Sequence, residues 1–472
     1  MNTKDTLPTV FVILGATGDL MRRKLVPALF HLYEEGNLSS LFQVVGFSKD
    51  SLSTEQFQQL VREMAEVKVR NSLENIQSFS RFFVYQQGVF EEKEGYRNLA
   101  EFLGMKDNEW KICSNKLFYI AASPQRYHII LRNLAVSGLT KPCSPQEGWT
   151  RIIVEKPFGK DLKTAQELDQ LLGKLFWEEQ IYRVDHYLGK ETVQNILAFR
   201  FSNSFLQDSW NARGIEGMSI RLFEKEGVGE RGAFYDGIGA LRDVGQNHVL
   251  QLLALFCMEV PGAFDGDSLR RERAKVFKAL PAMKSKEISK FTRRAQYQGY
   301  TREKNVDPHS QTETYFRLQT SLDNDAWKGV PIILESGKGM KENLVEVEVV
   351  FRHPTPCLCP SGENKHYRNI LHYYIQPQEG IEMSLWVKKP GPEMIIEERA
   401  FLFDYKQAFQ GEEFADPYER LLLNIIQGDQ TLFVSTEEIM ASWKFVDAVL
   451  RGWDKTGVPL VQYPRGASVI ET

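Results

Sequence analysis

The chain has 472 residues, 42% of them hydrophobic and 25% charged, with a net charge of −4. These are the proportions of a folded protein of two or three domains. The slight negative charge argues against a general nucleic-acid surface, so an anionic substrate would need local cations. Cys113, Cys143, Cys257, Cys357 and Cys359 are odd in number and scattered, which predicts no disulfide framework and fits a reducing compartment. Cys357-Leu-Cys359 has no second Cys or His cluster beside it, so no metal is expected. Met1–Pro8 is polar and no apolar run nears the ~20 residues of a membrane span. The expectation is a cytoplasmic protein with no membrane partner.

In chain order, Thr9–Leu14 is an unbroken β-prone run of the kind a buried parallel strand shows. Gly15-Ala-Thr-Gly18 turns tightly, and residues 19–35 carry helical periodicity up to Gly36. Phe42–Phe47 is the next strand, completing a βαβ unit. Gln- and Glu-rich helical stretches follow between about 54 and 75, then strands at 115–122 and 149–155. Residues 161–179 read as an amphipathic helix, with Leu168, Leu171, Leu172, Leu175 and Phe176 at helical spacing.

The pattern changes near residue 182. Runs at 218–224, 314–320, 344–352 and 373–376 read as strands, several alternating apolar and polar residues as an antiparallel sheet does. Helices are predicted over 237–259 and 416–426, and an irregular tail after about 460. The expected organisation is an α/β Rossmann domain over 1–182, then a β+α domain over 183–472 with a mostly antiparallel sheet.

Two strings carry chemistry. Gly15-Ala-Thr-Gly-Asp-Leu20 stands where glycines would let a pyrophosphate approach the backbone and a helix N-terminus. Ser48-Lys49-Asp50 closes the second strand, where a cation favours a 2′-phosphate and a carboxylate a free ribose 2′-hydroxyl; both are present, so NADP is expected and NAD stays open. Arg183-Val-Asp-His-Tyr-Leu-Gly-Lys-Glu191 sets an acid, an imidazole, a phenol and an ammonium side by side. A helix over 187–191 would put His186 and Lys190 at i and i+4 on one face, aimed with Tyr187 at a phosphate.

These strings resemble the glucose-6-phosphate dehydrogenase family, and the likeness spans nearly the whole chain. Further matches are Glu155-Lys-Pro-Phe-Gly159, Arg242-Asp-Val-Gly-Gln-Asn-His248, 330–338, Ile375-Gln-Pro377, and Tyr418-Glu-Arg-Leu-Leu-Leu423 with Gly428-Asp-Gln430. The resemblance implies oxidation of glucose 6-phosphate at C1 with hydride transfer to NADP or NAD, and a homodimer or dimer of dimers formed through the sheet. It implies that His248 is the base and Asp185 its carboxylate partner. Lys156, His186, Tyr187, Lys190, Glu224, Asp243 and Lys338 would hold the substrate. Gly15, Thr17, Gly18, Asp19, Leu20, Lys49, Ser123, Pro124, Tyr127 and Lys156 would hold the coenzyme. The peptide before Pro157 is a candidate cis bond.

Three departures bear on this. Asn343 stands where the family commonly has a second cation for the phosphate, which predicts weaker phosphate binding or a compensating cation. Lys49 replaces the usual arginine and lacks its planar fork, so the NADP preference is expected to be modest. The C-terminus is short, and Lys388-Lys-Pro-Gly391 is not enough to imply a second, structural NADP. Two other readings stay open: another Rossmann sugar oxidoreductase, of the glucose–fructose oxidoreductase or inositol dehydrogenase type, and a dinucleotide sensor without turnover. The first lacks the Asp-His-Tyr-Leu-Gly-Lys string, and the second needs no base.

Overall fold

The computed structural model describes residues 8–66, 73–143, 147–358, 367–468 and 470. The chain divides into two compact units. The first comprises 1–189, 264–270 and 415–439; the second comprises 190–263, 271–414 and 440–472.

In the first unit, β1 (Thr9–Leu14), β2 (Phe42–Ser48), β3 (Phe83–Gln87), β4 (Asn115–Ile120), β5 (Thr150–Glu155) and β6 (Ile181–Val184) form one sheet. Its order is β3-β2-β1-β4-β5-β6, and each neighbouring pair is parallel. Every residue of β1 and β2 is buried, which is why both strands read as apolar runs. This is the Rossmann topology expected. A cut at residue 182 would pass through β6, and residues 415–439 return to the first unit from far along the chain. Composition along the chain carries no sign of that return.

Asp161 caps the helix Leu162–Leu175, its carboxylate accepting from the Thr164 N–H at 2.7 Å. The helix stops before Phe176, where the backbone turns extended, so it is shorter than its periodicity suggested.

In the second unit, β7 (Ile215–Glu224), β8 (Thr292–Tyr297), β9 (Tyr315–Thr320), β10 (Ile332–Lys338), β11 (Leu344–Phe351), β12 (Ile370–Gln376), β13 (Gly380–Lys388), β14 (Ile396–Asp404) and β15 (Leu460–Tyr463) form a second sheet. The order is β14-β13-β12-β11-β7-β10-β9-β8-β15. It is mostly antiparallel, with β7/β10 and β8/β15 parallel. The tail is therefore not irregular throughout: Leu460–Tyr463 adds an edge strand to β8. The helix expected from 237 begins only at Leu241, because Gly237 (φ +79°) and Gly239 (φ +80°) take left-handed backbone. It runs as Leu241–Val249 and continues as Leu250–Cys257.

Cys113 and Cys143 form a disulfide, with Cα atoms 5.8 Å apart. This corrects the expectation that the cysteines stay unpaired: two segments of the first unit bring them together, which an odd count does not forbid. Cys357 is also disulfide-bonded, Cys257 is free and buried, and Cys359 lies outside the described residues. Among the described residues, no helix is long and apolar enough to cross a membrane.

Candidate active site

In the first unit the glycine turn closes β1 as expected. Gly15 has φ +107°, and a side chain there would run into the Ala121 carbonyl. The Gly18 N–H donates to the Gly15 carbonyl at 3.0 Å, and Leu20 leads into the helical residues 21–34. The Thr17 hydroxyl donates to Asp50 at 2.6 Å and lies 2.9 Å from the Ser48 hydroxyl. Asp50 is thus tied to the turn, while Lys49 is exposed. Asp19 is exposed and pairs with Arg23 at 2.7 Å. Ser123 and Pro124 open the turn before Tyr127, which is buried with its hydroxyl donating to the Glu155 carbonyl at 3.0 Å. A glycine turn at a helix start, beside the end of the second strand, has the donor set that fits a dinucleotide.

The Glu155-Lys156-Pro157 string follows β5, and its Lys156–Pro157 peptide is cis. The Glu155 carboxylate accepts from the phenols of Tyr119 (2.5 Å) and Tyr418 (3.1 Å). Burial pushes its pKa up; the two phenols oppose this only partly.

Asp185 is buried, and one oxygen accepts from the Tyr187 N–H at 3.1 Å. His186–Gly189 is a short, tight helical turn and Lys190 has extended backbone (ψ 139°) as the residue capping the helix Glu191–Phe201. The expected single helix over 187–191 is therefore replaced by a turn and a cap, and the i, i+4 argument for His186 and Lys190 fails. The carboxylate of Asp185, satisfying the Tyr187 N–H, favours the turn locally. Arg183 is 2% exposed and held by Asp169 (2.8 Å), Glu178 (2.9 Å) and Thr436 (2.9 Å). It is an anchor of the strand that precedes the turn.

In the second unit, β10 lies parallel to β7 with Lys338 in register with Glu224. The Lys338 ammonium bonds the Glu224 carboxylate and lies 3.5 Å from Asp243. It also sits 5.3 Å from the ring centre of buried Tyr235, within cation–π range. Asp243 is in the first turn of the helix Leu241–Val249, which also carries buried His248 in its last turn. Lys190 donates to the Gln376 side chain. The Asn343 side chain accepts from the Lys225 N–H at 2.8 Å, beside Glu224, so it braces the strand end rather than offering a charge.

The likeness to known proteins covers both units. The profile "Glucose-6-phosphate dehydrogenase, NAD binding domain" matches residues 12–195, and "Glucose-6-phosphate dehydrogenase, C-terminal domain" matches 197–469. This chain belongs to the glucose-6-phosphate dehydrogenase family. The glucose-6-phosphate 1-dehydrogenase of Chlamydia muridarum is 39% identical, over 95% of this chain and 91% of that one. A solved structure titled as a glucose-6-phosphate dehydrogenase in complex with its substrate glucose-6-phosphate aligns with TM-score 0.90 and 32% identity, over 100% of this chain and 97% of that one. The Mycobacterium avium glucose-6-phosphate 1-dehydrogenase structure aligns with TM-score 0.82 and 32% identity, over 98% and 95%.

The glucose-6-phosphate dehydrogenase strings sort by unit. Gly15 to Tyr187, including Lys156, belong to the first; Lys190, Glu224, Asp243, His248 and Lys338 belong to the second. Sequence reasoning missed Gln376, although its Ile-Gln-Pro string was in view. The signal was a polar side chain at a strand end before a proline. Tyr235 was missed too, because an aromatic near a glycine-rich stretch reads as core.

Proposed function

We propose that this chain is a glucose-6-phosphate 1-dehydrogenase that oxidises β-D-glucose 6-phosphate at C1 to 6-phosphoglucono-1,5-lactone. The acceptor is NADP, with NAD as a slower alternative; this is the entry step of the oxidative pentose phosphate pathway. The observation that carries the reading is Lys338 bonded to Glu224 and close to Asp243, which stands on the same helix as buried His248.

The nicotinamide, when bound, supplies the hydride acceptor. His248 takes the O1 proton as C1 is oxidised; an imidazole suits that task near neutral pH. Asp185 holds the tautomer of His248 and stabilises the imidazolium. Glu224 and Asp243 accept from sugar hydroxyls, with Lys338 offsetting their charge. His186, Tyr187 and Lys190 bind the phosphate, and Gln376 orients Lys190. Lys156 would bind both the sugar and the coenzyme. Gly15, Thr17, Gly18, Asp19 and Leu20 would hold the pyrophosphate, Lys49 would hold the 2′-phosphate, and Ser123, Pro124 and Tyr127 would hold the nicotinamide end of the coenzyme. Asp50 is engaged by Thr17 and Ser48, which favours Lys49 over Asp50 as the reader of the ribose. The assembly is a homodimer or a dimer of dimers; exposed Phe401 and Leu402 on edge strand β14 suit such a role.

The test is the initial rate of nicotinamide reduction with glucose 6-phosphate or glucose, each with NADP and NAD. The expected result is a phosphate-dependent rate that prefers NADP and falls about 10²–10⁴-fold in His248→Ala. Coenzyme binding without turnover of glucose 6-phosphate would overturn the reading and favour another sugar phosphate or a sensor.

A further inference from the structure

The helix Pro417–Gln427 packs on the turn that carries His186. Asp416 caps it, accepting from the Tyr418 N–H at 2.9 Å. Gly189 meets Pro417 so closely that an added Cβ would lie 2.8 Å from the Pro417 carbonyl oxygen. Arg420 donates to the Gly189 carbonyl at 3.4 Å. The first turn of this helix is therefore fixed against residues 186–189.

Tyr418 stands at that contact, 7% exposed. Its ring lies nearly parallel to the His186 imidazole, with an interplanar angle of 17° and centroids 6.3 Å apart. That is the range of an offset stack. Its hydroxyl donates to Glu155, which also accepts from Tyr119. The Lys24 ammonium, from the helical residues after the glycine turn, is 5.5 Å from its ring centre and 3.4 Å from Asp416. Three separate strings of the first unit thus reach one phenol: the helix after the glycine turn, the Glu155-Lys156-Pro157 turn and the His186 turn.

Each part of the side chain has its own task. The ring gives the His186 imidazole a flat wall on one face, while the Tyr187 ring meets it edge-on with centroids 5.1 Å apart. The hydroxyl fixes the plane of the ring by bonding a carboxylate that must find donors where it is enclosed. Leucine would fill part of the volume and supply neither. Phenylalanine would keep the wall and lose the tie.

We propose that Tyr418 is a positioning residue that sets the His186 imidazole for the substrate phosphate, its ring supporting the imidazole and its hydroxyl anchored on Glu155. The proposal rests on the reading of His186 as a phosphate ligand. It predicts a graded series. Tyr418→Leu raises KM for glucose 6-phosphate about five- to tenfold, and Tyr418→Phe about twofold. In both, kcat and KM for NADP stay within about twofold of wild type. The inhibition constant of inorganic phosphate against glucose 6-phosphate rises in parallel with KM.

The experiment measures these constants for wild type, Tyr418→Phe and Tyr418→Leu, with NMR of the His186 ring protons in each. The stack predicts a ring-current shift kept in Tyr418→Phe and lost in Tyr418→Leu. An unchanged KM in Tyr418→Leu overturns the proposal. So does an equal loss in both variants, or a fall in kcat and a rise in both KM values together, which is what general loosening would give. Absence of wild-type turnover would instead defeat the reading of the reaction, while the ring-current comparison would still decide whether the stack exists.

Discussion

The two units accommodate enclosed charge in different ways. In the first, Glu155 is hydrogen-bonded by two phenols, and burial raises its pKa. In the second, Lys338 faces two carboxylates, Glu224 and Asp243, over an aromatic ring. Phenols satisfy a carboxylate's lone pairs without cancelling its charge, so they serve as a tie between segments. Two carboxylates around one ammonium leave oxygen atoms to spare, which is what a polyhydroxylated substrate needs. The contrast separates a tie between segments from a cluster with acceptors to spare within one chain.

Lys338→Met tests that contrast most severely. It leaves Glu224 and Asp243 facing each other without their cation. KM for glucose 6-phosphate should rise about ten- to a hundredfold. Unfolding stability should fall by about 1–2 kcal/mol, less than for a fully buried pair because Glu224 is partly exposed. Steady-state kinetics and urea titration measure the two effects. If stability falls while KM stays put, the lysine only holds the strands together.

Glu313 sharpens the comparison from inside the second unit. It is 5% exposed and accepts from the Leu241 N–H at 3.2 Å, at the start of the helix that carries Asp243 and His248. Burial pushes its pKa up to about 7, against partial compensation from its own and the Leu241 N–H groups, Arg242 and Arg294. The folded state therefore holds a proton that the unfolded state releases at lower pH. The stability this group contributes is present below the unfolded pKa and is lost as pH rises through the folded one. Between pH ~4.5 and ~7 the loss amounts to about 3 kcal/mol. Glu313→Gln should remove that slope, so that its urea midpoint exceeds that of wild type at pH 8 by more than at pH 5. Parallel midpoints at the two pH values would show that Glu313 ionises freely in the fold.

The smallest expected effect belongs to the exposed cation beside the glycine turn. Lys49→Ala should lower kcat/KM for NADP about fivefold and leave NAD unchanged, the scale of one solvated charge contact. An equal loss with both coenzymes would mean that Lys49 does not distinguish the 2′-phosphate.

Much of the architecture was legible along the chain. Thr9–Leu14 and Phe42–Ser48 lie in the middle of a parallel sheet, buried on both faces, so their apolar runs mark them as strands. Strand β14 at the sheet's edge and its neighbour β13 do not stand out in the sequence: β14 is exposed along most of its length, and hydrophobic patterning carries little signal where neither face is firmly buried. The turn at 186–189 was read as a helix because spacing alone does not show that the Asp185 carboxylate binds the Tyr187 N–H. The Cys113–Cys143 pairing was missed because it depends on where two loops meet.

What the sequence determined by itself was the set of chemical groups, their order in the chain and the family they identify. Those follow from local strings whose residue types are needed wherever the fold places them. What only the tertiary structure decided were the partners. Lys338 finds Glu224 because two strands far apart in sequence run parallel in register. Tyr418 finds Glu155 and His186 because residues 415–439 fold back onto the first unit. Such contacts arise from the packing of whole elements, whose energy depends on surfaces that no single stretch of the chain contains.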